Sequence, residues 1–176
     1  MEFNEIGENV TIYPLAKILN PEVISIKSNV MIDDFVLLGG GKETILGNYT
    51  HISSFCNVIG GGVFIMEDFS CMSAGCKIFT GTDDYSGPYL ANPTVPPEYR
   101  NVKRSFVRLG KYVILGANVV VLPGVTIGEG ATVGACSLVK EDIEPWTVNA
   151  GVPTKPIRER SRDQLLRFAR EIMDKR

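Results

Sequence analysis

Residues 109–139 read Leu109-Gly-Lys-Tyr-Val-Ile-Leu-Gly-Ala-Asn-Val-Val-Val-Leu-Pro-Gly-Val-Thr-Ile-Gly-Glu-Gly-Ala-Thr-Val-Gly-Ala-Cys-Ser-Leu-Val139, and this stretch decides the fold. An aliphatic residue returns at every sixth position, and a small or β-branched residue follows each of the first five by four places. The aliphatic set is Leu109, Leu115, Val121, Ile127, Val133 and Val139, and the small set is Val113, Val119, Val125, Ala131 and Ser137. A period of six matches neither the α-helix, with a period of about 3.6, nor the simple strand, with a period of about 2.

A unit with one large and one small inward side chain predicts a short extended segment followed by a corner. Three such segments close a triangular coil, and successive coils stack at the inter-strand distance of about 4.8 Å. The frame recurs upstream with large residues at Ile6, Ile12, Ile26, Ile32, Leu46 and Ile52 and small ones at Val10, Ala16, Val30, Val36, Thr50 and Cys56. It slips by one residue before Ile65 and again before Met72, and then continues to Ile78.

Two segments depart from the period. Residues 80–106 carry four prolines, Pro88, Pro93, Pro96 and Pro97, and are expected to form a long external loop with a functional role. In the tail, Ser161 and Gln164 fit a capping box, and apolar residues recur at helical spacing as Leu165, Phe168 and Ile172. We therefore expect a β-prism over residues 1–158 and a C-terminal helix within 159–176 that covers an open coil edge.

Composition narrows the functional classes. The chain has 176 residues and a formal net charge of -2, and its basic residues form no stripe for a nucleic-acid backbone. No apolar run approaches the roughly 18 residues of a membrane span, and the first residues lack the pattern of a signal peptide, so we expect no membrane span and a cytoplasmic protein. The four cysteines have no paired spacing and are expected to be reduced, with Cys56 and Cys76 as core residues.

The stretch from Leu115 to Ala135, followed by Asn149-Ala-Gly-Val-Pro-Thr-Lys155, resembles the hexapeptide-repeat acyltransferases. The resemblance runs from about Ile6 to Ile157. It implies a left-handed parallel β-helix, a hand that the sequence period does not supply because crossover connections are nearly always right-handed. It also implies a homotrimer with clefts between the prisms, and acetyl-CoA as the acyl donor.

The same resemblance suggests residues for the donor site. In these enzymes the pantetheine arm of CoA lies along the C-terminal coils, against backbone groups at small residues. The matching positions are Gly116, Ala117 and Ala135, and the charges of Lys140, Lys155 and Arg158 suit the phosphates of CoA. Each glycine and alanine also serves as a repeat corner, and each of the three charges is equally an ordinary solvated surface residue.

Acyl transfer from a thioester needs a base, and the chain has one histidine, His51. It takes the sixth place of the unit Leu46–His51, which points outward. In the resembled galactoside and maltose acetyltransferases the catalytic histidine lies at the start of the long loop, where this chain reads Phe79–Tyr85 without a histidine. We hypothesise that His51 is the base across a subunit interface, with Asp83 or Asp84 orienting the imidazole or contacting the acceptor. The alternatives are that His51 is an ordinary surface histidine and that Asp83 and Asp84 only form a turn.

The acceptor is expected to be a sugar or a nucleotide-sugar, because the loop offers polar and aromatic groups such as Tyr85 and Asn92. The acceptor atom is a hydroxyl or an amine, and surface-polysaccharide assembly (O-antigen or capsule) is the expected setting. The alternatives are acetylation of a non-sugar small molecule and a non-catalytic trimeric scaffold. A carbonic anhydrase family with the same prism binds zinc through three histidines, so with one histidine per chain we expect no metal.

Overall fold

The computed structural model describes residues 2–174, which hold 22 strands and one α-helix. The strands before the long loop are β1 Glu5–Ile6, β2 Thr11–Ile12, β3 Lys17–Leu19, β4 Ile24–Ile26, β5 Met31–Ile32, β6 Leu37–Gly39, β7 Glu43–Leu46, β8 His51–Ile52, β9 Asn57–Ile59, β10 Val63–Met66, β11 Cys71–Met72 and β12 Lys77–Phe79. The later elements are β13 Gly81–Thr82, β14 Lys103–Arg104, β15 Phe106–Leu109, β16 Ile114–Leu115, β17 Val120–Val121, β18 Val125–Ile127, β19 Thr132–Val133, β20 Leu138–Val139, β21 Thr147–Gly151, β22 Thr154–Glu159 and the helix α1 Asp163–Met173.

The strands build a three-sided parallel β-helix in which every third strand joins the same sheet, once the loop pair β13 and β14 and the terminal hairpin β21 and β22 are set aside. The first sheet has the order β1-β4-β7-β10-β15-β18, the second β2-β5-β8-β11-β16-β19-β21-β22, and the third β3-β6-β9-β12-β17-β20. Apart from the terminal pair β21 and β22, neighbouring strands within these sheets run parallel and in register. The predicted stack of triangular coils over Leu109–Val139 is therefore confirmed.

The predicted inward side chains form the core. The large aliphatic residues of the period from Ile26 onward are buried with the exception of Ile65, and the small inward residues from Val30 onward are buried as well. Two of the small residues are polar, and each inward hydroxyl donates to a corner carbonyl: Thr50 Oγ1 to Gly47 at 3.0 Å and Ser137 Oγ to Gly134 at 2.7 Å. In the first coil Ile6 stays 54% exposed because no coil stacks above it.

The coil length explains the slips in the period. Ile26 pairs with Leu46, and Leu46 pairs with Met66, which is a repeat of 20 residues. After the long loop Leu109 pairs with Ile127, a repeat of 18. In the fourth coil the two extra residues fall in the glycine corner at 60–62, so the inward residues there are Phe64 and Met66 and not Ile65, whose assignment to the frame was wrong.

Three corners connect the sheets, and they are used as landmarks below. The first corner joins the first to the second sheet and has at its tip Asn9, Asn29, Tyr49, Phe69, Tyr112, Gly130 and Trp146. The second corner joins the second to the third sheet and has at its tip Leu15, Phe35, Phe55, Gly75, Asn118 and Cys136. Every one of these tip residues except Leu15 has a positive φ, between 53° and 78°, which costs a non-glycine residue roughly 1 kcal/mol or more.

The third corner joins the third sheet to the first sheet of the next coil. The long loop leaves this corner after β12. Its base is a short antiparallel pair, β13 with β14, and Leu90 and Arg100 form an isolated bridge farther out. A 3-10 turn spans Pro97–Tyr99. The loop thus projects beside the outer face of the third sheet while both its ends stay anchored in the prism.

The C-terminal end differs from the sequence expectation in two ways. The helix does not cover the coil edge; β22 pairs antiparallel with β21 there, and the helix lies beside the outward face of the second sheet. The predicted capping box is also wrong, since the residue before the helix is Arg162 and no side chain caps it. The apolar helical spacing is confirmed, because Leu165, Phe168 and Ile172 line one shared groove with that sheet. No helix within residues 2–174 is long and apolar enough to cross a membrane.

Candidate active site

A groove of about 680 Å³ lies between the third sheet and the base of the long loop. Its floor is apolar, with Ile59, Phe79 and Leu122 from three successive coils. The polar rim comes from the loop and from Lys140 at the third corner. The full lining is Ile59, Gly60, Phe79, Gly81, Thr82, Asp83, Tyr85, Val102, Leu122, Pro123 and Lys140. We call this the loop groove, and it brings together three of the sequence-predicted site residues, Asp83, Tyr85 and Lys140.

The neighbouring aspartates have different surroundings. Asp83 lines the loop groove. Asp84 turns into the loop, where its carboxylate accepts hydrogen bonds from Asn101 Nδ2 at 3.2 Å and from the backbone N–H of Gly87 at 2.8 Å. The Asn101 bond, supported by the backbone donors, holds the pKa of the Asp84 carboxyl below its ordinary value. Asp84 therefore organises the loop, whereas Asp83 is placed to meet a ligand.

The two predicted acceptor contacts also separate. Tyr85 is 94% exposed and stands at the rim of the loop groove. Asn92 lies farther along the loop, where its Oδ1 accepts from the N–H of Thr94 at 2.9 Å. This bond closes a local turn around Asn92, whose φ of 88° marks the same bend.

His51 lies on a different face of the prism. It stands in β8 on the outward side of the second sheet, between Met31 and Cys71 of the adjoining coils, and its side chain is 42% exposed. Its Nε2 is 3.1 Å from Oδ1 of Asp33. With the proton on Nε2 the imidazole donates to this carboxylate, and Nδ1 is left with the lone pair.

Asp33 was missed by the sequence reasoning, which sought the partner of His51 in the loop. A signal was present: with coils of 20 residues, Asp33 sits directly above Ser53 and diagonally above His51 on the same face. The six-residue period alone does not reveal this, because neighbours across coils are set by the coil length.

The residues predicted for the donor lie around the last coils. Gly116, Ala117 and Ala135 occupy the second corner, where a Cβ on Gly116 would come 2.6 Å from the backbone nitrogen of Ala135. This close stacking explains the glycine and leaves the two alanine backbones near the surface. Lys140 lies at the opposite end of the third-sheet strands, directly after β20, and lines the loop groove there.

The remaining candidates lie on the terminal hairpin. Lys155 and Arg158 stand exposed in β22. The hairpin tip reaches the second corner, because the N–H of Gly151 donates to Ser137 Oγ at 3.0 Å. Trp146 packs at the first corner against Tyr112 with ring centroids 6.1 Å apart.

Within one chain the predicted residues thus form three groups: the loop groove, the His51–Asp33 pair, and the second corner with the hairpin. Cys56 and Cys76 are buried as expected, and all four cysteines are free. Residues 2–174 contain no group of three or more His, Cys, Asp or Glu side chains arranged to hold a metal ion.

Comparisons with known proteins extend this geometry to a family. Residues 106–141 match the family model described as bacterial transferase hexapeptide (six repeats). Over 166 residues, 94% of this chain and 86% of the relative, the chain is 43% identical to dTDP-4-amino-4,6-dideoxy-D-glucose acyltransferase of Escherichia coli. The chain belongs to the hexapeptide-repeat acyltransferases of the sugar-modifying group. Its fold is accordingly the left-handed β-helix, and it is an enzyme with an acyl-CoA as co-substrate.

Solved structures support this placement of the hexapeptide-repeat acyltransferase. It superposes on a variant of AntD, an N-acyltransferase from Bacillus cereus, in complex with dTDP and coenzyme A, with a TM-score of 0.93 and 40% identity over 99% of this chain and 93% of that one. AntD has also been solved with dTDP and 3-hydroxybutyryl-CoA, at a TM-score of 0.91. A putative lipopolysaccharide biosynthesis O-acetyl transferase of E. coli K12 is 35% identical over 77% of this chain and 60% of its own length.

Proposed function

We propose that this acyltransferase moves an acyl group from an acyl-CoA to the amino group of a dTDP-linked 4-amino-4,6-dideoxy sugar. The observation that carries the proposal is near full-length similarity to one enzyme of that name and to AntD, which has been solved with that sugar nucleotide and coenzyme A. Both similarities extend over the long loop, the segment in which sugar specificity is expected to lie.

The loop groove suits the acceptor. Its apolar floor can cover a thymine base or the methyl group of a dideoxy sugar, and Asp83 can accept a hydrogen bond from an amino group. Tyr85 adds a polar tip at the rim, and Asn92 lies in the same loop. The pantetheine arm of the donor would follow the backbone at Ala117 and Ala135, with Lys140, Lys155 and Arg158 placed for phosphates.

His51 is proposed as the base, with Asp33 holding the imidazole. The amine nitrogen attacks the thioester carbonyl carbon, and a proton passes from that nitrogen to Nδ1 of His51. The tetrahedral intermediate then collapses, the C–S bond breaks, and the CoA thiolate takes the proton to leave as the thiol. The amide C–N bond replaces the thioester C–S bond, so the amine and the acyl-CoA are the only reactants needed.

This chemistry needs two chains, because His51 and the loop groove lie on different faces of one prism. We therefore propose a homotrimer in which His51 of one chain serves the loop groove of its neighbour, and a cytoplasmic enzyme that draws on soluble acyl-CoA. A prism with three equivalent clefts fits a cyclic assembly.

The direct test is mass spectrometry of reactions between the purified protein, acetyl-CoA or 3-hydroxybutyryl-CoA, and a panel of acceptors. We expect acylation of dTDP-4-amino-4,6-dideoxyglucose and none of dTDP-glucose, which offers only hydroxyl groups. Acylation of dTDP-glucose, or of neither nucleotide sugar, would contradict the proposal. Comparing the two thioesters shows which acyl group the site accepts.

A second candidate is O-acetyl transfer to a sugar in surface-polysaccharide assembly. It is favoured by the similarity to the putative lipopolysaccharide O-acetyl transferase. The same acceptor panel separates the two, because an O-acetyl ester is released by mild alkali and an amide is not.

Replacement of His51 by alanine should lower turnover at least about a hundredfold while the trimer stays folded, because general-base catalysis typically contributes that much. The measurement is kcat with the accepted sugar nucleotide, alongside circular dichroism. Thr11→Ala, on the same outward face two coils away, is the matched control and should leave kcat unchanged. An unaltered rate in H51A would remove the histidine from the mechanism.

Replacement of Asp33 by asparagine should lower kcat by roughly tenfold to a hundredfold, with KM nearly unchanged. The amide can bond either tautomer of His51, so the imidazole is no longer held with its lone pair on Nδ1. D33N combined with H51A should be no slower than H51A alone. Additive losses in the double variant would show that Asp33 acts on something other than the histidine.

A further inference from the structure

A second groove, of about 560 Å³, lies between the helix α1 and the outward face of the second sheet. Apolar side chains from both elements line it: Cys71 and Ile114 from the sheet, and Leu165, Phe168 and Ile172 from the helix. We call this the helix groove. The mechanism described above gives it no role, although it is almost as large as the loop groove.

The sheet side of the helix groove begins next to His51. Cys71 of β11 is the register partner of His51 in β8, and Ile114 of β16 is in turn the partner of Cys71. All three occupy the outward position of their strands. Because successive coils are about 4.8 Å apart, the groove starts one coil from the imidazole and continues away from it.

The walls of the groove suit an apolar ligand. Burial raises the pKa of the Cys71 thiol, so this side chain stays neutral and acts as a small apolar wall. On the opposite wall Phe168 and Ile172 are 47% and 41% exposed. A hydrocarbon chain between the two walls would remove this surface from water, which is the main source of binding free energy for such a ligand.

The direction of the donor leads its acyl chain into this groove. The residues predicted to contact pantetheine, Gly116 and Ala117, lie at the second-corner end of the second-sheet strands. The helix groove extends to the opposite end, where Phe69 and Tyr112 of the first corner line it. A thioester carbonyl is planar, so its acyl chain leaves on the side away from the sulfur. With the carbonyl carbon at His51 and the sulfur toward the second corner, the chain points toward the helix groove.

We propose that the helix groove binds the acyl chain of the donor, and that the enzyme prefers chains of about four carbons, long enough to cross one coil spacing, to acetyl. This inference rests on the role of His51 in the proposed function and names the class of acyl donor. An acetyl group ends at the entrance of the groove. Each further methylene buried inside it should tighten binding roughly fourfold.

The test is isothermal titration calorimetry of the protein with acetyl-CoA, propionyl-CoA and butyryl-CoA, without any acceptor. We expect Kd to fall roughly fourfold with each added methylene, so that butyryl-CoA binds at least about tenfold more tightly than acetyl-CoA. The values of kcat/KM with the accepted sugar nucleotide should follow the same order.

Two variants fill the groove from opposite sides. Cys71→Leu narrows it at its start, and Ala169→Leu fills it from the helix, where Ala169 is buried against it. In each variant the ratio of the Kd values for acetyl-CoA and butyryl-CoA should fall at least about fivefold, while the Kd for acetyl-CoA changes by less than about twofold. Circular dichroism checks that the β-helix and the C-terminal helix remain.

The matched control is Met31→Phe. Met31 is the register partner of His51 in the coil on the other side, so it is as close to the imidazole as Cys71 but lies away from the helix groove. This variant should keep the native ratio of Kd values. An equal loss of chain preference in M31F and C71L would mean that any disturbance beside His51 has this effect, and it would overturn the assignment.

The outcomes are separable. If butyryl-CoA binds no more tightly than acetyl-CoA, or if the preference survives in both filled variants, the groove assignment is overturned, while acylation of the amino sugar still supports the proposed function. If the preference appears and is lost as described but no sugar nucleotide is acylated, the groove assignment stands and the proposed function fails. If no thioester binds, both fail.

Discussion

The first and second corners share one local feature, a stack of aromatic rings, but differ in how exposed that stack is. Both hold aromatic residues in the left-handed region of φ, so that rings of successive coils stack. The ladder at the first corner runs through Tyr49, Phe69, Tyr112 and Trp146 and is half-buried. The ladder at the second corner, Phe35 with Phe55, is exposed. The left-handed conformation is thus repeated along both corners, and the two corners differ in what covers their stacked rings.

The cover of the first corner comes from the C-terminal segment. The guanidinium of Arg160 donates from Nη1 to the carbonyls of Tyr112 and Gly130, each at 2.8 Å, and its backbone N–H donates to the carbonyl of Trp146. Burial of this side chain lowers the pKa of Arg160, which is the cost of bringing a cation to the ladder. One chain therefore completes this corner by itself, whereas the rings of the second corner stay exposed in the single chain.

Among substitutions that compare the two corners, Gly130→Ala at the first corner is expected to have the largest effect on stability. A Cβ there would come 2.4 Å from the ring of Trp146, and the φ of 70° disfavours any side chain. The indole also packs against Tyr112, so admitting the new methyl group requires this packing to shift. We expect a loss of about 3 kcal/mol in unfolding free energy, combining strain with displaced packing, measured by urea denaturation. A loss below about 1 kcal/mol would show that the covered ladder is loosely packed.

A smaller effect is expected from Arg160→Met, which keeps the stem of the side chain and removes the guanidinium. The carbonyls of Tyr112 and Gly130 then lose their charged donor, and hydrogen bonds of this kind contribute about 1.5–3 kcal/mol. We expect a loss of about 2 kcal/mol in the same denaturation experiment. Arg158→Met, at an exposed position of β22 two residues before Arg160, should change stability by less than about 0.5 kcal/mol. Equal losses in the two variants would mean that the cation adds nothing at the corner.

The smallest effect is expected from Gly75→Ala, the counterpart at the second corner. Its φ of 78° is like that of Gly130, but the new Cβ would meet only the end of the Asn118 side chain, which can rotate away. The expected loss is therefore about 1 kcal/mol, from backbone strain alone. A loss as large as that of G130A would contradict the view that the second corner is open in the single chain.

The sequence predicted the architecture well because the signal is periodic and local. The residues that the six-residue frame named as inward between Ile26 and Val139 are buried except in the fourth coil, where the frame chose Ile65 in place of Phe64 and Met66. That error has a physical cause: a glycine corner accepts two extra residues without disturbing the strands on either side, so the period alone does not locate the insertion. The helix was found from its apolar spacing, but its partner surface was not, because docking depends on contacts distant in sequence.

The candidate site divides in the same way. His51 was found because a single histidine stands out in any sequence, and its outward orientation followed from its place in the frame. Its bond to Asp33 was not found, and neither was the apolar floor of the loop groove. Both depend on which residues of different coils become neighbours, and a change of two residues in coil length alters every such pair. The donor residues came from resemblance, and their roles stay predictions.

By itself the sequence determined the prism, its inward ladders and the presence of a long loop, because each follows from side chains repeating within one or two units. Only the tertiary structure decided that His51 meets Asp33, that Asp83 and Lys140 share a groove, and that one aromatic corner is covered while the other is exposed. These facts arise from the stacking of coils whose lengths differ, and stacking joins residues that the period treats as unrelated.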